Sequence, residues 1–339
     1  MSQVQWNTGL RLVIPVFNDW ASFAILLRAL DAVAETLPFR ITVSAIDDGS
    51  TQSASAIFEL ASSLHFLDRV EIIRLSLNVG HQRAIAIGLC VACEDADFDA
   101  ILVMDSDGED PPETIPLLVE QAGQKEEFCI VAARRKRTER ISFKISYFIY
   151  KTVFKLVTGK NISFGNFSLL SAGFARRLVM IPDLWNNLTA AVLRSRFPIE
   201  KISIDRGKRY AGKSQMNFTS LIVHGFSAIS VYADTIFVRL LLTTIGLLGL
   251  TFVAIVTALV LRLLFPSHAT PGWATTVSFG MIIIFLQVLF TTLNSILMLL
   301  NNRVQRLVVP AVDFKPYVLT RDPVFSNAGS VITSETRLA

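Results

Sequence analysis

From Leu240 to Leu261, and again from Ala269 to Asn302, the chain carries no Asp, Glu, Lys or Arg. Each stretch reaches the roughly 20 apolar residues that a helix needs to cross a bilayer. A helix that is apolar on every side has to be surrounded by lipid or by a large protein core. The composition favours lipid: 52% of the 339 residues are hydrophobic and only 18% charged, with a mean hydropathy of +0.49. A water-soluble domain of this size is more polar. Two transmembrane helices are therefore expected, from about Thr235 to Leu264 and from about Trp273 to Leu300. Arg239, Arg303 and Arg306 flank one side of this pair and the turn between the helices holds no Lys or Arg. The positive-inside rule then expects both termini in the cytoplasm and a multi-pass inner (plasma) membrane protein. Arg262 lies near the opposite end and has to snorkel. Gln287 and Asn294, seven apart on one helical face, are candidates for bonds between helices and leave room for a homo-oligomer. Met1 to Trp6 shows no basic and apolar run of the secretory kind, so the residues before the spans are expected on the side of synthesis.

Upstream of the spans, short apolar runs alternate with amphipathic ones. Leu12 to Phe17, Ile41 to Ile46, Val70 to Leu75 and Ile101 to Met104 read as buried strands. Helical patterns run from about Trp20 to Glu35 and from Gln82 to Ala92. This order predicts an α/β domain with a mainly parallel sheet. Polar residues gather where successive strands end: Asp47 with Asp48, Asn78 with His81, Asp105 with Asp107. Ligands of open α/β sheets bind beyond those strand ends. Two carboxylates one residue apart there suit Mg²⁺ or Mn²⁺ bridging to substrate phosphates, with Asp105 and Asp107 as the metal ligands.

Several classes are set aside. The first strand ends in Pro15-Val16-Phe17-Asn18-Asp19, without the G-x-G-x-x-G of a dinucleotide-binding turn, and no Walker A spacing occurs. The net charge of +4, on a chain with hydrophobic spans, points to anionic headgroups rather than nucleic acid. Cys90, Cys93 and Cys129 are too few for a disulfide framework, and Cys90-Val91-Ala92-Cys93 sits in an apolar helical pattern that reads as core.

The segments Val13 to Asp19, Asp47-Asp48-Gly49-Ser50-Thr51, Leu77-Asn78-Val79-Gly80 and Asp105-Ser106-Asp107-Gly108-Glu109-Asp110-Pro111-Pro112-Glu113 resemble, in order, the motifs of family 2 glycosyltransferases of the GT-A fold. They are similar to the polyprenyl-phosphate glycosyltransferases, a group that includes dolichol-phosphate mannose synthase and bacterial undecaprenyl-phosphate enzymes. The Asp-Pro-Pro-Glu extension is the specific signal. The resemblance implies that Pro15, Phe17, Asp19, Asp47, Asp48, Gly80, Arg83 and Asp105 bind a nucleotide diphosphate sugar. It implies catalytic roles for Asp105, Asp107 and Arg209, with a divalent metal, Mg²⁺ or Mn²⁺, on Asp105 and Asp107.

Two basic segments fit the same picture. Arg134-Arg135-Lys136-Arg137 follows a strand pattern from Phe128 to Ala133, and Arg206 to Ser214 is similar to the family's Arg-x-x-Arg-x-x-Gly-x-Ser loop. Arg135, Arg137, Arg206, Arg209 and Ser214 are the phosphate and acceptor candidates, since guanidinium groups bind phosphate bidentately. Ile141 to Leu156, with Lys144, Lys151 and Lys155 on one face, reads as a basic aromatic helix suited either to the membrane interface or to the core. Gly165-Asn166-Phe167-Ser168 departs from the family's more usual Gly-Asp-Phe-Arg. An amide takes up no proton near neutral pH, so Asn166 cannot act as a base. A phosphomonoester acceptor, with its second pKa near 6, needs none, whereas a hydroxyl does.

These readings divide the chain into a GT-A catalytic domain (1–215), an interfacial amphipathic helix (216–234), two transmembrane helices (235–302) and a cytoplasmic C-terminal tail (303–339). The expected activity is inverting transfer of a hexose from a nucleotide diphosphate sugar to a polyprenyl phosphate at the cytoplasmic face. The alternatives are transfer to a lipid or saccharide hydroxyl in polysaccharide assembly, or a weakly active nucleotide-sugar-binding membrane scaffold.

Overall fold

A computed structural model describes residues 6, 8–95, 98–134, 152–160, 164–212, 225–264, 272–304 and 306–327. They divide into two compact units, one drawn from Met1–Lys151, Asn161–Val231 and Val308–Ala339, the other from Thr152–Lys160 and Tyr232–Leu307.

The first unit alternates strand and helix as its sequence pattern requires. β1 (Leu10–Val16), α1 (Trp20–Glu35), β2 (Ile41–Asp47), α2 (Ser55–Leu60), β3 (Arg69–Leu75), α3 (His81–Glu94) and β4 (Ala100–Val103) follow in order. α4 (Ile115–Ala122), β5 (Cys129–Arg134), β6 (Ser168–Ser171), α5 (Ala172–Leu178), α6 (Leu188–Arg194) and β7 (Glu200–Ile204) complete its main body. The sheet order is β7-β5-β6-β4-β1-β2-β3-β8, where β8 is Val318–Ser326. β4, β1, β2 and β3 run parallel, β7 pairs parallel with β5, and β6 runs antiparallel to both β4 and β5. Side chains of a strand alternate between faces. Leu10, Leu12, Ile14 and Val16 therefore pack with α1, and Val13 packs with α3 on the other face. Both faces being covered, β1 is buried along its whole length, which is why its sequence is a continuous apolar run broken only by Arg11. α3 lies close on the sheet at Gly88, where a methyl group would stand 2.5 Å from Val13 Cγ1 and 2.7 Å from Ile46 Cγ1.

One expectation needs correction. The segment 303–339 is not simply a tail: α9 (Pro310–Asp313) and β8 return to the first unit, and β8 pairs antiparallel with β3. Without it, β3 would expose a row of unpaired backbone groups at the sheet edge. Asp322 and Pro323 disguise the strand in the sequence, because proline is tolerated only at an edge or bulge; the β3 pairing has irregularities at Val70/Glu71 and Arg74/Leu75. Charged groups fasten the join. Arg11 pairs with Glu71 and, at 2.5 Å, with Asp95, and donates from Nε to Ser44 Oγ at 3.1 Å. Arg321 of β8 reaches Asp95 at 2.6 Å and Glu71 at 3.5 Å. Burial works against the Asp95 carboxylate, but Arg321 and Arg11 outweigh it and hold its pKa below the usual range.

The second unit holds α7 (Ala233–Leu264) and α8 (Trp273–Val304), packed on each other. Both are long and apolar enough to cross a membrane, with mean hydropathies of 2.5 and 2.1 in their most apolar windows. Their broad apolar surfaces are exposed, unlike those of core helices. Thr244, Thr251 and Ala258, spaced seven apart on α7, are buried, as are Thr292 and Ser295 on α8. Small residues let helix backbones approach closely in lipid. The four hydroxyls donate to carbonyls of their own helices at 2.8–2.9 Å, so none is left to hydrocarbon. Gln287 and Asn294 are exposed rather than turned into this seam. The basic helix expected over 141–156 lies largely outside the described residues; of the interfacial helix expected over 216–234, residues 225–234 are described, with helix over 225–230 and the start of α7 at Ala233. Cys90 and Cys129 are buried, and burial pushes the Cys129 and Cys93 thiols up to about 12.

Candidate active site

The strand order reverses between β1 and β4: β2 and β3 lie on one side of β1, and β4 on the other. Such a reversal opens a crevice beyond the carboxyl ends of the strands, and the acidic side chains leave the sheet there. The turn after β1 is shaped by Asn18, whose φ of 51° is unusual for a residue with a side chain. Its Oδ1 accepts hydrogen bonds from the amides of Thr51 and Gln52 at 2.9 and 3.0 Å, tying this turn to the loop after β2. Pro15 is buried in β1 and Phe17 is exposed just beyond it. Asp47 accepts from the Ser50 amide at 2.8 Å and faces Arg74 at 3.9 Å. Asp48 accepts from the amides of Val79 and Gly80 at 2.7 and 3.1 Å, so it binds the loop after β3. Burial pushes the Asp48 carboxyl up to about 6, against the pull of those two amides.

Asp105 and Asp107 follow β4. The Asp105 amide donates to Asp110 Oδ2 at 3.1 Å, and Asp107 Oδ1 accepts from the Glu109 amide at 3.0 Å. Burial, then the neighbouring Asp105 charge, raises the Asp107 carboxyl above its ordinary value. Arg209 answers this charge: Nη1 lies 2.8 Å from Asp107 Oδ2, and Nη2 pairs with Asp19 from the turn after β1. One guanidinium thus bridges the two sides of the crevice. Its loop is pinned to the acidic loop. The amides of Tyr210 and Gly207 donate to the carbonyls of Asp107 and Glu109, each at 2.9 Å, and Arg206 pairs with Glu109. Gly108 makes this possible, since its φ is +86° and a methyl group there would lie 2.4 Å from the Tyr210 ring.

His81 opens α3, with Nε2 3.4 Å from Asp105 Oδ1 and 2.9 Å from Asn166 Nδ2. Burial disfavours the imidazolium, but the bond to Asp105 and the charges of Asp105, Asp48 and Asp107 hold its pKa above the ordinary value. Asn166 Oδ1 accepts from Gln82 Nε2 at 3.1 Å, and Gln82 Oε1 accepts from the Leu188 amide at 2.8 Å.

The fold therefore brings Asp19, Asp48, Asp105, Asp107 and Arg209 to one sheet edge. Arg206 reaches the same loop, while the Arg83 guanidinium lies over the Trp185 ring, 5.9 Å from its centroid. Arg135, Arg137 and Ser214 lie outside the described residues. His81, Gln82, Asp110 and Tyr210 were not singled out as site residues from the sequence. His81 carried a signal, standing among the polar residues at the strand ends; Tyr210 acts through its backbone, which no sequence pattern reveals. Among the described residues no three His, Cys, Asp or Glu side chains are grouped to hold a metal by themselves. Asp105 and Asp107, neighbouring carboxylates whose charges repel, do fit a divalent cation that takes its remaining ligands from a diphosphate.

This crevice and strand order define a GT-A fold. The solved structure of mannosyl-3-phosphoglycerate synthase from Rubrobacter xylanophilus superposes with a TM-score of 0.50 at 14% identity, over 67% of this chain and 73% of that one. Residues 12–178 match the model described as Glycosyl transferase family 2 and form a family 2 glycosyltransferase domain. The undecaprenyl-phosphate 4-deoxy-4-formamido-L-arabinose transferase of Klebsiella pneumoniae (strain 342) is 27% identical over 270 residues, 78% of either protein. That of Pseudomonas syringae pv. syringae (strain B728a) is 28% identical over 282 residues, 81% of this chain and 78% of the relative.

Proposed function

We propose that this glycosyltransferase moves a sugar, a hexose in our reading, from a nucleotide diphosphate sugar to a polyprenyl phosphate at the cytoplasmic face of the membrane. The observation that carries the reading is the bridge from Asp19 through Arg209 to Asp107 across the crevice between β1 and β4. It gathers one cation and several carboxylates where a diphosphate fits. Two helices able to cross a membrane in the same chain, and relatives named for undecaprenyl-phosphate, support a lipid-borne acceptor. Those relatives are also named for an arabinose derivative, a pentose, so the sugar is the part of the proposal a panel has to decide.

In this mechanism a phosphate oxygen of the acceptor attacks the anomeric carbon, and the bond from that carbon to the donor diphosphate breaks with its electron pair on the nucleoside diphosphate. Attack from the opposite side inverts the configuration. The acceptor is already anionic near neutral pH, consistent with an amide at position 166 where a base is not needed. Asp105 and Asp107 would hold Mg²⁺ or Mn²⁺, which would supply Lewis-acid stabilisation of the negative charge on the departing diphosphate. Arg209 and Arg206 bind diphosphate or acceptor phosphate oxygens, and Asp19, Asp47, Asp48 and Gly80 line the nucleotide side.

A second reading, transfer to a lipid or saccharide hydroxyl, draws on His81, an imidazole 3.4 Å from Asp105. The deciding experiment incubates purified protein with polyprenyl phosphate, a panel of nucleotide sugars and Mg²⁺ or Mn²⁺. A glycolipid phosphodiester is expected; transfer to a hydroxyl instead, with no such product, removes the proposal.

A further inference from the structure

Arg209 is more than a phosphate ligand in waiting. Its guanidinium bridges two carboxylates from different loops, Asp107 and Asp19, and donates from Nε to the Ala211 carbonyl at 2.9 Å. The backbone around it is fixed: Tyr210 and Gly207 are bonded to the Asp107 and Glu109 carbonyls, and Gly108 lies against the Tyr210 ring. Exchange of partners at Asp107 therefore calls for a side-chain movement and not for opening the loop.

We infer that Arg209 is a stand-in cation that closes the Asp107 site to free divalent metal until a nucleoside diphosphate draws the guanidinium away. The inference rests on the reading of Asp105 and Asp107 as the cation ligands. A guanidinium and a divalent cation repel each other and compete for the same carboxylate oxygen. A diphosphate offers the guanidinium new anionic acceptors in a bidentate arrangement, and Asp107 then becomes available to the metal. Each ligand thus removes the other's competitor, and linkage requires the resulting coupling to be reciprocal.

The test is Mn²⁺ binding to the full detergent-solubilised chain, followed by electron paramagnetic resonance of free Mn²⁺, with and without UDP or GDP. Wild type is expected to bind Mn²⁺ weakly alone and ~10-fold or more tightly with a nucleoside diphosphate, within the usual range of coupling. Arg209→Gln is expected to bind Mn²⁺ alone several-fold more tightly than wild type, with little further gain from either nucleotide. Asp19→Asn, which removes the second anchor of the guanidinium and spares the metal ligands, moves Mn²⁺ binding in the same direction by less. Lys208→Gln removes an equal charge from an exposed position of the same loop and is expected to leave Mn²⁺ binding where it is. If Arg209→Gln binds Mn²⁺ alone no better than wild type, or Lys208→Gln matches it, the stand-in role is overturned and the cation site stands. If Asp107→Asn leaves Mn²⁺ binding unchanged, the cation site itself fails and takes the inference with it.

Discussion

The side-chain nitrogen of Asn166 stands 2.9 Å from Nε2 of His81, at the end of a hydrogen-bond chain whose polarity is set by a backbone amide. The Leu188 N–H can only donate, so Gln82 presents Oε1 to it, turns Nε2 to Asn166 Oδ1, and leaves Asn166 Nδ2 for the imidazole. A donor aimed at Nε2 favours the neutral ring, while Asp105, facing the same nitrogen at 3.4 Å, favours the charged one.

Replacing that donor by a carboxylate removes the opposition. Asn166→Asp is expected to raise the His81 pKa by about one unit or more, as an opposite charge within hydrogen-bond distance does. A pH titration of ¹⁵N-histidine-labelled protein, with the His81 signals assigned through His81→Gln, measures it. An unchanged or lowered pKa would show that the amide does not govern the ring.

Asp107→Asn and Asp105→Asn should each lower turnover by about 100-fold or more, the scale of losing electrostatic stabilisation of a leaving group. The folded structure should survive, because both side chains lie beyond the strand ends and not in the core. Circular dichroism and melting of the detergent-solubilised variants control for folding. Retention of wild-type turnover by Asp107→Asn is incompatible with the proposed roles.

Asp48 gives stability a pH dependence whose sign is fixed. Its carboxyl ionises near 3.8 when exposed and near 6 in the fold. Between those values the folded protein binds more protons than the unfolded chain, so stability falls as pH rises. The contribution is complete below 3.8 and lost above about 6, an effect of up to about 3 kcal/mol by the conversion of pKa shifts. Comparing denaturation of wild type and Asp48→Asn from pH 4 to pH 7 isolates it: the wild-type advantage should shrink with rising pH, and a constant difference contradicts the assignment.

Glu71 is buried beneath Arg11 and Arg321. Glu71→Ala leaves Arg11, itself 5% exposed, with Asp95 and Ser44 alone. Breaking a buried pair by removing one partner costs roughly 3–5 kcal/mol, and here β8 should also loosen from β3. Chemical denaturation measures the first effect and hydrogen exchange of the Val318–Ser326 amides the second. Unchanged protection there would uncouple the charge network from the return strand.

The apolar runs, their alternation with helical patterns and the two charge-free stretches are local properties, and they made the α/β class, the order of β1 to β4 and the two long apolar helices legible in the sequence. The carboxylates at the strand ends were legible for the same reason: a parallel strand places its carboxyl end where a ligand binds, whatever lies elsewhere in the chain. Contacts between distant residues were not legible. Asp322 and Pro323 hid the β8 strand, because its pairing is satisfied by β3, which lies far upstream. The bridge from Asp19 through Arg209 to Asp107 and the relay from Leu188 to His81 likewise join segments that only the folded sheet brings within hydrogen-bond reach. Periodicity and strand-end chemistry were thus written along the chain, while which guanidinium meets which carboxylate, and which amide faces which imidazole, was decided by tertiary packing, since those energies depend on distances that no spacing in the sequence encodes.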